Sequence, residues 1–161
     1  MSTLTTEKDL DQLTLTFVAE FDAPPSRVWD IWEDPRQLER WWGPPTWPAT
    51  FSRHELSPGS ESAYFMTGPD GERAHGWWEI TAVRAPESLS YDDGFADEHG
   101  ARQEGTGVVH ATVTLEALGT GTRMTIENRF DSLEQLEQLL AMGMEEGMGQ
   151  AMGQIDALLA A

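Results

Sequence analysis

Hydrophobic and polar residues alternate along the segment from Leu13 to Phe21. Its odd-numbered positions are all apolar, and its even-numbered positions are polar except for Val18. A period of two is typical of a β-strand with one buried face. We therefore expect the first strand here, preceded by a flexible N-terminal tail over residues 1–11. Residues 12–161 are expected to form a single domain, because a chain of 161 residues can bury one sizeable core and is short for two.

A helical period follows this strand. The segment Ala23-Pro24-Pro25-Ser26 ends the strand and can open a helix, since proline is tolerated in a first helical turn. The next apolar residues recur at helical spacing: Val28, Trp29, Ile31 and Trp32. Asp34-Pro35 breaks this helix, and a second helical piece from Arg36 to Trp41 ends at Gly43-Pro44-Pro45. The pattern predicts two short helices after the first strand.

The middle of the chain has the pattern of a sheet. We predict strands near residues 47–56, 61–67, 74–83, 88–92, 108–116 and 121–130. Short turn sequences such as Gly68-Pro69-Asp70-Gly71 join several of them, which indicates antiparallel pairing. The acidic, glycine-bearing stretch 93–107 is predicted to be a long loop, and loops of this length are either functional or mobile.

The helical period returns near the C-terminus. Ser132 can cap a helix, and apolar residues follow in steps of three and four as far as Leu159. We predict one continuous helix over residues 132–159, roughly 40 Å long and able to cross the sheet. Glycines interrupt it at positions 143, 147, 149 and 153, and each costs about 1 kcal/mol relative to alanine. They indicate either close packing against tryptophan side chains or room for a ligand.

Several short sequence motifs occur along this predicted order of strands and helices. They are Phe21 to Trp29, Trp41-Trp42-Gly43-Pro44-Pro45, Pro58-Gly59, Gly68-Pro69-Asp70-Gly71, Gly76 with Glu79-Ile80, and Gly143-Met144-Glu145-Glu146-Gly147. With the order of the elements, they resemble the START-like (SRPBCC, helix-grip) superfamily, and within it the branch of activator of heat-shock protein 90 ATPase homologue-like proteins.

The resemblance implies an α+β helix-grip fold. A curved antiparallel sheet of about seven strands would be crossed by the long C-terminal helix, with two short helices after the first strand. The branch has no shared catalytic motif, so the resemblance assigns no catalytic residues. Met148 stands where a tryptophan usually follows the helix glycine. That departure enlarges the space beneath the helix.

Charge and composition narrow the classes of partner. The 28 acidic and 10 basic residues give a formal net charge of -18, which repels nucleic acid and anionic membrane surfaces. The chain has no cysteine, so disulfides, a thiolate nucleophile and a cysteine-ligated zinc site are excluded. Its first residues lack the pattern of a signal peptide, and no run of eighteen apolar residues occurs. We expect a cytoplasmic protein with neither nucleic acid nor membrane as partner.

Acid–base and metal chemistry have weak support in the sequence. None of the four histidines belongs to a HExxH motif, and no phosphate-binding glycine loop follows a strand, so we expect no metal and no cofactor. His75 and Glu79 share one face of a predicted strand, and His110 lies on the polar face of a neighbouring strand. These three are weak catalytic candidates, and the plainer interpretation is that they are solvated strand residues.

Aromatic and methionine side chains give the stronger signal, because a sheet that grips a helix leaves a cavity lined by both. Ordinary core packing is the competing interpretation of these residues. The candidate ligand-binding residues are Trp32, Trp41, Trp47, Phe51, Tyr64, Met66, Trp78, Ile80, Arg123, Met124, Met144, Gly147 and Met148. Trp77 is out of phase with Trp78 and is expected on the opposite face, where an exposed indole could form a homodimer contact.

Three functions follow from these observations together with what the resemblance implies. The first is non-catalytic binding of a small hydrophobic or aromatic molecule in a cavity between the sheet and the C-terminal helix. The second is a protein-binding, co-chaperone-like ATPase activator whose acidic surface meets a basic patch on a chaperone partner. The third is a cyclase, dehydratase or hydrolase that uses the same cavity.

Overall fold

Alternating hydrophobic residues build the sheet of this protein. The computed structural model describes residues 3–103, 105 and 107–161. Over these residues the strands are β1 Thr3–Asp9, β2 Thr14–Phe21, β3 Ala49–Arg53, β4 Glu61–Thr67, β5 Arg73–Arg84, β6 Ser88–Ala96, β7 Val109–Leu118 and β8 Gly121–Arg129. The helices there are α1 Pro25–Glu33, α2 Pro35–Leu38, α3 Leu133–Ala141, α4 Met144–Met152 and α5 Ile155–Ala160. The strands form one curved antiparallel sheet in the order β1-β2-β8-β7-β6-β5-β4-β3, which confirms the predicted fold class.

The N-terminal segment corrects the prediction of a tail over residues 1–11. Strand β1 pairs antiparallel with β2 from Thr3 opposite Glu20 to Asp9 opposite Thr14, so the described sheet has eight strands rather than about seven. Its side chains from residue 4 onward are exposed, and it is held by backbone hydrogen bonds to the edge of β2. A strand without a buried face gives little hydrophobic periodicity. Met1 and Ser2 lie outside the described residues.

Strand β6 corrects the predicted loop over residues 93–107. The strand continues to Ala96, where Asp93 pairs with Trp78 and Gly94 with Trp77 of β5. Gly94 permits this pairing because a Cβ there would lie 2.7 Å from the indole nitrogen of Trp77. After the strand, the Asp97 carboxylate accepts hydrogen bonds from the backbone N–H groups of His99 and Ala101 and closes a turn. Glu104 and Thr106 of the predicted loop lie outside the described residues.

The C-terminal helical region is divided into three segments instead of one continuous helix. Ser132 caps α3 as predicted, because its hydroxyl accepts from the N–H of Gln135. The main interruption is at Gly143, whose φ of +89° is left-handed and separates α3 from α4. Between α4 and α5, Gly153 and Gln154 both keep right-handed helical dihedrals. The helix is therefore interrupted at Gly143, where glycine adopts the left-handed conformation with little strain.

The core fills the space between the sheet and helices α1 and α2 with aromatic rings. Trp32, Trp41 and Trp78 are fully buried. Trp32 packs edge-on against Trp41 with ring centroids 4.8 Å apart, and Trp78 stacks on Tyr91 at 4.2 Å. Such pairs add stability beyond the burial of their apolar surface.

None of the helices over the described residues combines the length and the apolar character needed to cross a membrane.

Two glycine substitutions test this account of the C-terminal region. Gly143→Ala should lower the free energy of unfolding by about 1 kcal/mol, because alanine is strained at positive φ. Gly147→Ala is the matched control. A methyl group there would meet no atom within 4 Å, and alanine is up to about 1 kcal/mol more favourable than glycine inside a helix. Thermal unfolding followed by circular dichroism should show a lower midpoint for the first variant and a higher one for the second. Equal midpoints would contradict the assignment of the break.

Candidate functional site

A cavity of about 310 Å³ lies between the C-terminal helices and the sheet. Its walls come from α3, α4, strands β4, β6 and β7, and the segment that follows α2. Most of the lining side chains are apolar, among them Trp42, Met66, Phe95, Val109, Leu139 and Met148. The volume is near the lower end of the roughly 300–1,000 Å³ found for small-molecule pockets.

The cavity exists because α4 contributes little volume at the position that faces it. Gly147 is a lining residue, and a Cβ built on it would meet no atom within 4 Å. Close helix-on-sheet packing is therefore not the role of this glycine. Gly149 lies on a different side of α4, where its nearest neighbour is Leu4 of β1 at 3.8 Å. The two glycines share a helix and have different surroundings.

Five of the candidate ligand-binding residues line this cavity: Tyr64, Met66, Met144, Gly147 and Met148. Six others are buried behind its walls and are not lining residues: Trp32, Trp41, Phe51, Trp78, Ile80 and Met124. These six pack against each other and their neighbours. The Trp32 indole N–H donates to the Met124 sulfur at 3.4 Å, for example, and Phe51 stacks on Tyr64 at 4.9 Å. They form a buried, mostly aromatic layer behind the residues that line the cavity.

The structure places Trp47 and Arg123 away from the cavity lining. Trp47 is half-buried, and its ring lies against Gly68 at the turn between β4 and β5. Arg123 pairs with Glu20 of the neighbouring strand at 3.2 Å. This ion pair joins β2 and β8.

One carboxyl group lies in the otherwise apolar wall. Asp93 of β6 is a lining residue, and its Oδ1 accepts a hydrogen bond from the Tyr64 hydroxyl at 3.1 Å. Burial raises the pKa of Asp93 to about 7, although hydrogen bonds from Tyr64 and the backbone N–H of Gly94 act in the opposite direction. Asp93 is half-buried, and as a lining residue it directs its remaining accessible surface to the cavity. Burial, and then the charge of Asp93, raise the pKa of Tyr64 well above its usual value, so the phenol stays neutral and donates.

The contact between Tyr64 and Asp93 depends on the strand that lies between them. Strand β5 separates β4 from β6, and Gly76 of β5 is paired with Tyr64. A Cβ on Gly76 would collide with the Tyr64 ring and hydroxyl. Because Gly76 has no side chain, the tyrosine crosses β5 and reaches the carboxyl group on β6.

Asp93 was missed by the sequence interpretation because residues 93–107 were assigned to a loop. Its signal lies in the alternation of Leu89, Tyr91, Asp93 and Phe95, which places four residues on one face once β6 is extended to Ala96. Asp92, its neighbour, faces the opposite side. Trp42 is a second missed residue: it is buried and lines the cavity.

The three weak catalytic candidates lie on the outer face of the sheet and are not cavity-lining residues. His75 and Glu79 are separated by roughly 13 Å along β5, since a strand rises about 3.3 Å per residue. Glu79 accepts a hydrogen bond from Arg102 at 2.9 Å. His110 lies between the carboxylates of Asp92 and Asp131, at 2.8 and 3.1 Å, and the hydrogen bond with Asp92 is the main cause of its raised pKa. No group of three His, Asp or Glu side chains within the described ranges could hold a metal ion.

Trp77 faces the outer side as predicted, but its indole is not exposed. The guanidinium of Arg102 lies 3.7 Å from the centre of the ring, and Trp77 is only 7% exposed. Arg102 is held in this position by Glu61 and Glu79, at 2.6 and 2.9 Å. The expected exposed indole for a homodimer contact is therefore covered by the chain itself.

Comparison with known proteins gives one family and several similar structures. The family model described as Activator of Hsp90 ATPase homolog 1-like protein matches residues 22–160. A solution NMR structure of a protein from Arthrobacter aurescens is 60% identical, covers 97% of this chain and 91% of that chain, and has a TM-score of 0.94. A crystal structure of a Mycobacterium smegmatis protein is 51% identical, covers 98% and 97%, and has a TM-score of 0.91. A Staphylococcus epidermidis protein is 26% identical over 97% and 93%, with a TM-score of 0.84. No curated protein matches the chain.

Asp93→Asn should change how stability depends on pH. The carboxyl group has a pKa of about 7 in the folded protein and about 3.9 in an unfolded chain. The stabilising contribution of the protonated carboxyl is therefore fully present when the pH is below the pKa of the unfolded chain. It is lost as the pH rises through the pKa of the folded protein. The variant, which buries no charge, should exceed the wild type in stability at pH 8 by on the order of 1–3 kcal/mol. The difference should shrink towards pH 5 in urea unfolding measurements.

The control for this measurement is Asp92→Asn, on the adjacent residue of the same strand. Asp92 pairs with His110 on the outer face, so its replacement should give no gain in stability at pH 8. The compared quantity is the difference in stability between the wild type and Asp93→Asn. If that difference is the same at pH 5 and at pH 8, the Asp93 carboxyl is not buried as described.

Proposed function

The chain belongs to the family of Activator of Hsp90 ATPase homolog 1-like proteins, and we propose that it binds a small, largely apolar molecule in the cavity beneath its C-terminal helices. The observation that carries the proposal is the open space at Gly147. A larger residue at this helix position would fill the cavity, and glycine in a helix interior costs up to about 1 kcal/mol relative to alanine. The chain keeps the residue that leaves the space open.

The lining supports the binding of an apolar body. Aromatic rings from the segment after α2 and from β4 form one side of the cavity, and methionines of α4 form another. Burial of a ligand against such surfaces contributes roughly 25 cal/mol per Å² of apolar area. Methionine side chains adapt to irregular shapes, so this wall can fit molecules of different outlines.

Two other functions were considered from the sequence. The enzyme hypothesis relied on His75, Glu79 and His110, and none of them is a cavity-lining residue. The co-chaperone hypothesis is favoured by the description of the family model and by the net charge of -18, which suits a basic partner surface. It is the alternative that gains support if the cavity binds nothing.

Filling the cavity from α4 should abolish binding without unfolding the protein. Gly147→Leu places an apolar side chain in open space and adds a better helix former, so its melting temperature should equal or exceed that of the wild type. Its affinity for prodan, an uncharged naphthalene dye, should fall by about tenfold or more, because the ligand loses most of its apolar contact. The measurement is a fluorescence titration of each protein with prodan at pH 5.5, where the Asp93 carboxyl is protonated and can donate to an uncharged acceptor.

Gly149→Leu is the matched control for this experiment. It makes the same change two residues along α4 on the side that meets Leu4, so it should keep the wild-type affinity for the dye. Unaltered binding by Gly147→Leu would place the ligand outside the cavity. No saturable binding of prodan by the wild type would count against the proposed function and favour the protein-binding alternative.

A further inference from the structure

The cavity contains a single charged group among its described lining residues, the carboxyl of Asp93. The other lining residues are apolar or aromatic side chains, glycines and a proline, with the Tyr64 hydroxyl as the only side-chain hydroxyl. No ion pair with a Lys, Arg or His within the described ranges is found for Asp93. A carboxyl group placed in this way has no cation among the described lining residues to balance its charge, and burial removes part of its hydration.

The hydrogen bonds of Asp93 leave room for further donors. An ionised carboxylate accepts at about four lone-pair positions. The Tyr64 hydroxyl and the backbone N–H of Gly94 account for two donors. Further donors come from water or from a ligand that enters the cavity, because the described lining residues of α3, α4 and β7 include no titratable or charged side chain. Tyr64 from β4 and Tyr91 from β6 itself are the neighbouring titratable groups.

The sign of the charge selects among possible ligands. A carboxylate or phosphate ligand would place a second negative charge beside Asp93 in an apolar wall, which is costly. A ligand with acceptors only would add no donor for the remaining acceptor positions of the ionised carboxylate. A protonated amine supplies up to three donors and a compensating charge, and charge-assisted hydrogen bonds of this kind are the stronger ones. The net charge of -18 also concentrates cations around the protein.

We propose that the ligand is a protonated primary amine on a compact apolar body, with its ammonium group at Asp93 and Tyr64 and its apolar part against the methionines of α4. This inference rests on the proposed function, because it names the chemical class of molecule that the same cavity takes. The ammonium donates to Asp93, and the Tyr64 hydroxyl fixes the orientation of the carboxylate. The apolar part fills the space that Gly147 leaves open.

The test compares three molecules that share one apolar body: 4-phenylbutylamine, 4-phenylbutan-1-ol and 4-phenylbutyrate. Isothermal titration calorimetry at pH 8 keeps the amine protonated and Asp93 ionised, since the pKa of Asp93 is about 7. We expect the amine to bind about tenfold more tightly than the alcohol, in line with a charge-assisted hydrogen bond. The carboxylate should show no saturable binding.

Asp93→Asn identifies the group responsible. In this variant the affinity for the amine should fall to that of the alcohol, and the affinity for the alcohol should stay the same. Asp92→Asn is the matched control: it removes the same charge from the adjacent residue, which faces outward and pairs with His110. This control should keep the tenfold preference. Retention of the preference in both variants would mean that the overall charge, and not the cavity carboxyl, selects the amine.

A titration of the wild type at a second pH tests the proposal without depending on the folding of any variant. At pH 5.5 the Asp93 carboxyl is protonated, so the ratio of amine to alcohol affinity should approach one. Using the ratio cancels effects of pH that act equally on both ligands, such as a change in the stability of the folded protein. A preference that is equal at pH 5.5 and pH 8 would overturn the proposal.

The outcomes separate this inference from the function on which it rests. If the alcohol binds as tightly as the amine, the amine assignment is wrong and the binding of apolar molecules stands. If none of the three compounds binds and prodan also fails to bind, the proposed function itself falls. If the carboxylate binds most tightly, Asp93 does not face the ligand and the assignment is overturned.

Discussion

One face of an eight-stranded sheet has to be kept from water, and the helices that cover it do not supply enough side-chain volume to fill the whole space. Trp32, Trp41 and Trp78 close one end with rings that pack against each other. At the other end, α4 presents Gly147 to the sheet and leaves a cavity. One part of the sheet is therefore tightly packed and another part borders the cavity. The packed aromatic rings lie behind the cavity lining.

The polar contact in the cavity depends on a residue that takes no part in it. Gly76 has no side chain, so the Tyr64 ring crosses β5 and its hydroxyl meets Asp93 on β6. An alanine at this position would force the tyrosine aside. Leaving a carboxyl in an apolar wall lowers stability at neutral pH, because the charged form loses its hydration. Proteins often keep such costly groups where they recognise a ligand.

The sequence predicted most of the fold and only part of the candidate site. The period of two in β2 and the helical spacing after Ser132 identified elements that bury an apolar face. Strand β1 was missed because its side chains are exposed, and the break at Gly143 was missed because apolar spacing continues through it. For the site, Tyr64 and Met148 are cavity-lining residues, but strand parity alone cannot tell a lining residue from one packed behind it. Trp78 and Phe51 share the inner face with Tyr64 and are covered by other rings.

The methionines of the cavity lining bear on how the ligand specificity proposed above can change during evolution. Met142, Met144 and Met148 lie on or beside α4, and Met142 is largely exposed. None of them contributes to the hydrogen bond between Tyr64 and Asp93. Substitutions at these positions can reshape the space for the apolar part of a ligand while the polar end stays unchanged. Under the proposed function, related proteins can thus diverge in the size and outline of the molecules they bind through a few helix residues, without rebuilding the sheet.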